Sequence, residues 1–282
     1  MLYIPVPPNK WDYLMWIADE FNEPGVYVAL SGFEYSSAFD LGPPIMSQGH
    51  NNVFFSDHMF PVIMLDYEVF YQELLACPDC LAQFNHPGYA GQLNWDGFKF
   101  FPEMDPQINL IELSTWDVDG WPYLFECLDQ GWHVSPTWNQ DNHNAGWGTE
   151  DDHRTGAWVT ELTRQGVREV IRQHRTFSTL DKNASIRMMA DGQCWMGSQL
   201  RGTLSAEISV DVQDPDPGEG FTTIELYGFG MELLEQYDCR GEPECTAQWT
   251  TELAEDGYLV ARAIQADGDI LVSAPIWLYS EN

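Results

Sequence analysis

Positive charge is what this chain has least of: 12 Lys+Arg stand against 44 Asp+Glu in 282 residues, a formal charge of −32. Only Lys10, Lys99 and Lys182 are lysines. Such a chain is repelled by nucleic-acid backbones and by anionic membrane surfaces, so neither is expected as a partner. No apolar run reaches the roughly 20 residues of a membrane-spanning helix. The opening Met1-Leu-Tyr-Ile-Pro-Val-Pro-Pro8 shows neither the basic stretch nor the apolar core of a signal peptide. Histidine is missing from the C-terminal part, all seven lying between positions 50 and 174. A second CxxC is also lacking, which weakens a structural-zinc reading of Cys77-Pro-Asp-Cys80 and leaves a redox pair or a local disulfide open.

What is present is apolar substance. At 44% hydrophobic and 14% aromatic the chain is too rich for a disordered acidic tail, and its length suits one large or two ordinary domains. Acidity with so little lysine resembles a surface kept hydrated in a salty environment. An electrostatic lure for cations is the functional alternative, and loop carboxylates can hold Ca²⁺ weakly. Cys239 and Cys245 flank a short polar loop that a disulfide would pin, while Cys127 and Cys194 can equally be buried, inert thiols. An even cysteine count with two locally spaced pairs leans towards an oxidising compartment, hence a secreted or periplasmic protein, with a cytoplasmic one as the alternative.

Two grammars divide the chain. In residues 1–183, helical spacing over Lys10–Phe21, Tyr67–Leu75, Pro122–Asp129 and Arg164–His174 alternates with extended pieces at Val26–Leu30, Asn52–Phe55, Leu81–Phe84, Asn109–Leu113 and Trp132–Pro136. That alternation predicts an α/β layer or barrel with functional loops after the strands. From residue 184, runs at Ile186–Met189, Leu204–Val212, Thr223–Tyr227, Gly257–Ile264 and Ile270–Trp277 are broken by Asp-Gly and Pro-Gly turns, which predicts an all-β sandwich over 184–282.

Candidate chemistry collects at the strand ends of the first part. Glu34 closes an extended piece, His50 opens another, His86 lies in Asn85-His-Pro-Gly88, and Asp141-Asn-His143 follows Trp132–Thr137. One histidine alone is more often structural. Imidazoles and carboxylates converging on one mouth form a ligand set for Zn²⁺, Mn²⁺ or Fe²⁺. Plainer readings come first for the rest: His58 as a loop histidine, His133 as packed, His153 as solvated, His174 as a cation at a helix end. Arg154 and Arg175 could clamp an anionic substrate, although surface ion pairing is the plainer role. Trp138 and the tryptophans around it, from Trp116 to Trp158, are core or the wall of an aromatic pocket.

Leu30-Ser-Gly-Phe-Glu34, Gly49-His-Asn-Asn-Val53, Phe84-Asn-His-Pro-Gly88 and Gly131-Trp-His-Val-Ser-Pro-Thr137 with Asp141-Asn-His143 resemble, in order, the later motifs of PHP-domain metallohydrolases, closest to the CehA/McbA-like subgroup. Gln173-His-Arg-Thr-Phe-Ser-Thr179, Asp191-Gly192, Met196-Gly-Ser198 and Ser273-Ala-Pro-Ile-Trp277 are similar to the same subgroup. The resemblance implies a distorted PHP-type β/α barrel, here partial, holding more than one divalent metal. It further implies a phosphoesterase-like hydrolase in which water activated by the metals attacks an ester centre. Glu34 would be a bridging carboxylate with a catalytic part shared by Asp141, and His50, His86, Asp141 and His143 would be the other ligands. The family's opening His-x-His motif and the histidine motif after it have no counterpart here. An N-terminal segment or a partner chain completing the barrel is therefore expected, and a small anionic or ester substrate is the expected ligand. A pseudoenzyme or binding module that has lost part of the metal site is the alternative, and an extracellular structural domain binding Ca²⁺ is a third reading.

Overall fold

A computed structural model describes residues 9–36, 48–61, 67–89, 92–115 and 118–281. The first helix, Lys10–Phe21, starts at Asn9, whose side chain accepts from the Asp12 amide and satisfies one of the unpaired N–H groups of the first turn. Chain then enters the strands β1 (Gly32–Ser36), β2 (His50–Phe54), β3 (Leu81–Asn85), β4 (Ile108–Glu112), a small ribbon of β5 (Ser114–Thr115) and β6 (Val118–Asp119), and β7 (Ser135–Thr137). Five of these form one open sheet in the order β1-β2-β3-β4-β7. The pairs β1–β2 and β2–β3 are antiparallel, while β3–β4 and β4–β7 are parallel.

Register decides which side chains this sheet presents. Glu34 pairs with Asn52, and His50 pairs with Asn85. Paired residues share a face, so Glu34, His50, Asn52, Gln83 and Asn85 line one side and Tyr35, Val53 and Phe84 the other. The apolar side packs on Phe70 and Leu74 of the helix Tyr67–Ala76. The polar side is left for chemistry.

The second sheet starts before residue 183. Strands β8 (Arg154–Ala157) and β9 (Thr176–Thr179) hydrogen-bond to each other, and β9 pairs with a strand near the C-terminus. The remaining strands are β10 (Ser185–Ala190), β11 (Cys194–Trp195), β12 (Gln199–Arg201), β13 (Ser205–Gln213), β14 (Phe221–Gly228), β15 (Glu232–Glu242), β16 (Glu244–Glu252), β17 (Gly257–Gln265), β18 (Ile270–Ser273) and β19 (Ile276–Tyr279). They make a sheet ordered β12-β19-β17-β18-β9-β8, with β14 and β15 beside β17, and a four-stranded sheet ordered β11-β10-β13-β16. Ile186, Met188, Ile208 and Val210 of the smaller sheet share a core with Ile224, Leu259, Ala261 and Leu271 of the larger, which makes the sandwich. The chain passes from one sheet to the other between β15 and β16, where a Cys239–Cys245 disulfide ties the corner. The larger sheet is covered on its other face too: Tyr227, Tyr258, Val260, Val272 and Trp277 belong to the same core as Leu124 and Phe125 of the helix Trp121–Asp129.

This architecture corrects the expected fold class. Among the described residues there is no β/α barrel, partial or otherwise; the chain is mainly β, and its first sheet is open and mixed. A barrel needs each parallel strand to return through a crossover to the next. In the first sheet only the described strands β3, β4 and β7 run parallel, and β9, the strand after the helix Arg164–Arg172, pairs in the other sheet. The extended piece expected at Val26–Leu30 is also displaced. Strand β1 begins at Gly32, and Val26 and Tyr27 lie exposed in the turn before it. Trp116, one of the tryptophans read as core or pocket wall, lies outside the described residues.

Candidate metal centre

Glu34 stands in the middle of β1, not at its end, and its carboxylate is the hub of the polar face. Its Oε1 lies 3.2 Å from His50 Nδ1, 3.2 Å from His86 Nε2 and 3.1 Å from Asn85 Nδ2. Glu34, His50 and His86 offer ligand atoms that all lie within 4.8 Å of one another, and so do Glu34, Asp141 and His143. Glu34 is common to both groups. The five residues expected as ligands are thus brought together from four separate strands or strand ends.

Each side chain is set by local structure. His50 opens β2 opposite Asn85. His86 follows β3 in a left-handed conformation, φ 32°, and its amide donates to the buried Glu112 carboxylate at 2.8 Å. Asp141 is likewise left-handed, φ 45°, in the loop after β7. Non-glycine residues in this region carry strain and collect at functional sites. A left-handed turn over Asn94–Phe98 buttresses the His86 loop: Asn94 Oδ1 accepts from the Gly88 amide, and Trp95 Nε1 donates to Asn51 Oδ1 behind β2. Gln92 Nε2 donates to His86 Nδ1 at 2.9 Å, while Gln92 Oε1 is buried without a partner among the described residues. Turned over, that amide offers Oε1 to an Nδ1–H and leaves the His86 Nε2 lone pair directed at the Glu34 side, the arrangement a metal-bound imidazole needs.

Electrostatics match the geometry. Burial opposes charge on Glu34, yet hydrogen bonds from His50, His86 and Asn85 outweigh it and hold the carboxyl far below the usual carboxylate range. Burial likewise lowers the basicity of His86, but its bond to Glu34 and the nearby carboxylates of Glu112 and Asp141 raise it on balance. The site is a shallow cavity of about 190 Å³ lined by Glu34, His86, Glu112, Asn139, Asp141 and His143 among others. His86 is 4% exposed and His143 76% exposed, so the centre is fixed at its floor and open at its rim.

Other expectations fare differently. Arg154 does not reach towards the cavity as a clamp: its guanidinium donates to the backbone oxygens of Gly148, Asp151 and His153 and so ties its own loop. Arg175 lies over the Trp195 ring at 6.0 Å. Trp138 is buried against the His153 ring at 5.3 Å, behind the Asp141 loop. His58 pairs with Asp57, and His133 bridges Asp105 and Tyr279. His174 is not a helix-end cation: burial, assisted by His133, pushes its pKa down to about 4, so desolvation overrides the helix dipole. Cys77–Cys80 is a disulfide, and Cys127 is a buried free thiol.

Sequence reasoning passed over Glu112, Asn85, Gln92, Asn139 and Asn142. For Glu112 a signal existed, an acid inside the apolar strand Ile-Asn-Leu-Ile-Glu, since a buried carboxylate is rare unless it is partnered.

No family model and no curated protein matches the chain. Among solved structures it is similar to Clostridium thermocellum CbhA fibronectin(III)-like modules, at 22% identity and a TM-score of 0.24, over 34% of this chain and 98% of that one. The lack of a barrel among the described residues corrects the PHP-type fold that the motifs implied, and the resemblance to CehA/McbA-like proteins finds no support among family models or curated proteins.

Proposed function

We propose that the Glu34 cluster is a divalent-metal centre that activates water for hydrolysis of a small anionic ester, with phosphoesters the first class to try. The supporting observation is convergence: Glu34 is shared by two ligand groups, one completed by His50 and His86, the other by Asp141 and His143. The mixed imidazole and carboxylate donors suit Zn²⁺, Mn²⁺ or Fe²⁺ better than Ca²⁺ or Mg²⁺. A cation held there supplies Lewis acidity and water activation.

The chain's own residues do the rest. Glu112 anchors the His86 backbone, Gln92 orients the His86 ring, and Asn85 steadies Glu34. Asn139 and Asn142 line the same cavity, and each carries a buried Nδ2 without a partner among the described residues, a donor suited to substrate oxygen. These amides take the anion-binding part first expected of Arg154 and Arg175. The two disulfides favour an oxidising location outside the cytoplasm.

The test is metal content by mass spectrometry on purified protein, followed by turnover on phosphoester and carboxyl-ester panels with Zn²⁺, Mn²⁺ or Fe²⁺ added. Metal uptake and turnover are expected, both lost in Glu34→Ala and turnover lost in Asp141→Ala. Metal uptake without turnover on either panel assigns the site to a metal-binding module instead, and failure to take up any of the three metals removes the reading.

A further inference from the structure

We infer that the sandwich carries a separate calcium site, formed by the carboxylates of Asp181, Asp214 and Glu219 with the side-chain oxygen of Gln265. Asp181 lies in the turn between β9 and β10, Asp214 and Glu219 flank the Pro-Asp-Pro-Gly turn between β13 and β14, and Gln265 ends β17. Three segments distant in sequence therefore meet at one point, where the three acids offer ligand oxygens within 4.8 Å of one another.

Carboxylates crowded on an acidic surface do not by themselves make a site. Here two are withdrawn from solvent, Asp181 and Asp214 being 7% and 3% exposed. Their local bonds use only part of their capacity. Asp181 Oδ1 accepts the amides of Asn183 and Ala184, and Asp214 Oδ1 accepts that of Asp216. Lys182 offers little compensation, since it pairs with Asp216 at 3.6 Å on the rim.

The independent observation is Gln265. It is 2% exposed, its Nε2 donates to Asp214 Oδ2 at 2.5 Å, and its Oε1 is buried with no partner among the described residues. A buried carbonyl oxygen left unpaired costs ~1–3 kcal/mol. With a cation bound, rotation of this amide would turn that orphan towards the Asp214 side as a fourth oxygen ligand, in exchange for the amide–carboxylate hydrogen bond.

The donor set chooses the ion. All four donors are oxygen, so transition metals that favour imidazole or thiolate are disfavoured. Donors on three turns tolerate the irregular, high coordination of Ca²⁺ better than the strict octahedron of Mg²⁺. The site is also distinct from the Glu34 centre in residues and chemistry, so either can fail without the other.

The experiment is calorimetric titration of chelator-treated full-length protein with CaCl₂, alongside thermal unfolding in CaCl₂, MgCl₂ or ZnCl₂. One saturable Ca²⁺ per chain is expected, with a rise in Tm larger than Mg²⁺ gives, and the rise persists in Glu34→Ala. Glu219→Gln and Asp214→Asn should weaken Ca²⁺ binding at least about tenfold. Each should leave the calcium-free protein as stable as the parent or more so, because repulsion is relieved. Glu219 is half-buried at the rim, so its variant remains informative if Asp214→Asn fails to fold. Absence of binding at millimolar Ca²⁺, an equal response to Mg²⁺, or an unchanged Ca²⁺ response in Glu219→Gln would overturn the assignment.

Discussion

The two principal sheets spend their faces in opposite ways. The sheet β1-β2-β3-β4-β7 packs Tyr35, Val53 and Phe84 on one side and gives the other to Glu34, His50, Asn52, Gln83 and Asn85. The larger sheet is apolar on both sides: along β17, Leu259, Ala261 and Ala263 face the sandwich while Tyr258 and Val260 face the helix Trp121–Asp129. A charged exception is Glu225, which accepts from Arg262 Nε at 2.9 Å, Arg262 Nη2 at 2.7 Å and the Tyr227 hydroxyl at 2.8 Å. A face can be given over to polar side chains only where stability comes from elsewhere. In this chain the two-sided sheet supplies it.

That contrast makes graded predictions. The largest effect belongs to Glu225→Ala, which leaves the Arg262 guanidinium uncompensated over the Trp121 ring and should cost ~3–5 kcal/mol by urea unfolding. Next is acid, acting through His174 between the two sheets. Unfolded, its imidazole takes a proton near pH 6.5; folded, near pH 4. Between those values the unfolded chain binds more protons, so stability is full above pH 6.5 and falls by up to ~3 kcal/mol as pH drops to 4. Unfolding curves across that window, with His174→Gln flattening the dependence, check it. Asn85→Leu on the polar face should cost about 1–3 kcal/mol, because the Asn52 amide and Gln83 Nε2 lose their acceptor. Glu34→Gln should be the mildest, about 1–2 kcal/mol in metal-free protein, because the hydrogen bonds that favour its ionised carboxyl are weakened while its burial penalty is relieved. A large loss there would mean that the polar face is structural and would break the contrast.

The difference between the sheets was partly legible in the residues. Strand β13, Ser-Ala-Glu-Ile-Ser-Val-Asp-Val-Gln, alternates strictly and buries one face, whereas Gly-Tyr-Leu-Val-Ala-Arg-Ala-Ile-Gln in β17 is the near-continuous apolar run of a strand covered twice. Helices Lys10–Phe21 and Tyr67–Ala76 follow their apolar spacing closely. Strands β15 and β16 escaped notice because Glu-Leu-Leu-Glu-Gln-Tyr-Asp and Glu-Cys-Thr-Ala-Gln lie largely exposed and carry little apolar signal. The barrel expectation failed for a different reason. Local βα alternation says that a strand follows a helix but not which sheet it joins, and Thr-Phe-Ser-Thr in β9 carries no mark of its partner β18. The ligand candidates were easier to single out, since histidines and acids near strands and turns advertise themselves. Their polar supports, Asn85 and Gln92, look like any loop amide until the loop is folded.

The sheet shared by two cores has a consequence for how the chain may be cut. A break after residue 183 leaves β9 without β18 and uncovers Tyr258, Val260 and Trp277 on one fragment and Leu124 and Phe125 on the other. Heating should therefore melt the whole chain in one calorimetric transition, and fragments 1–183 and 184–282 expressed apart should be sticky and regain order only on mixing. The part that carries the Glu34 cluster and the sandwich are therefore not modules on a string but two rooms built against one wall.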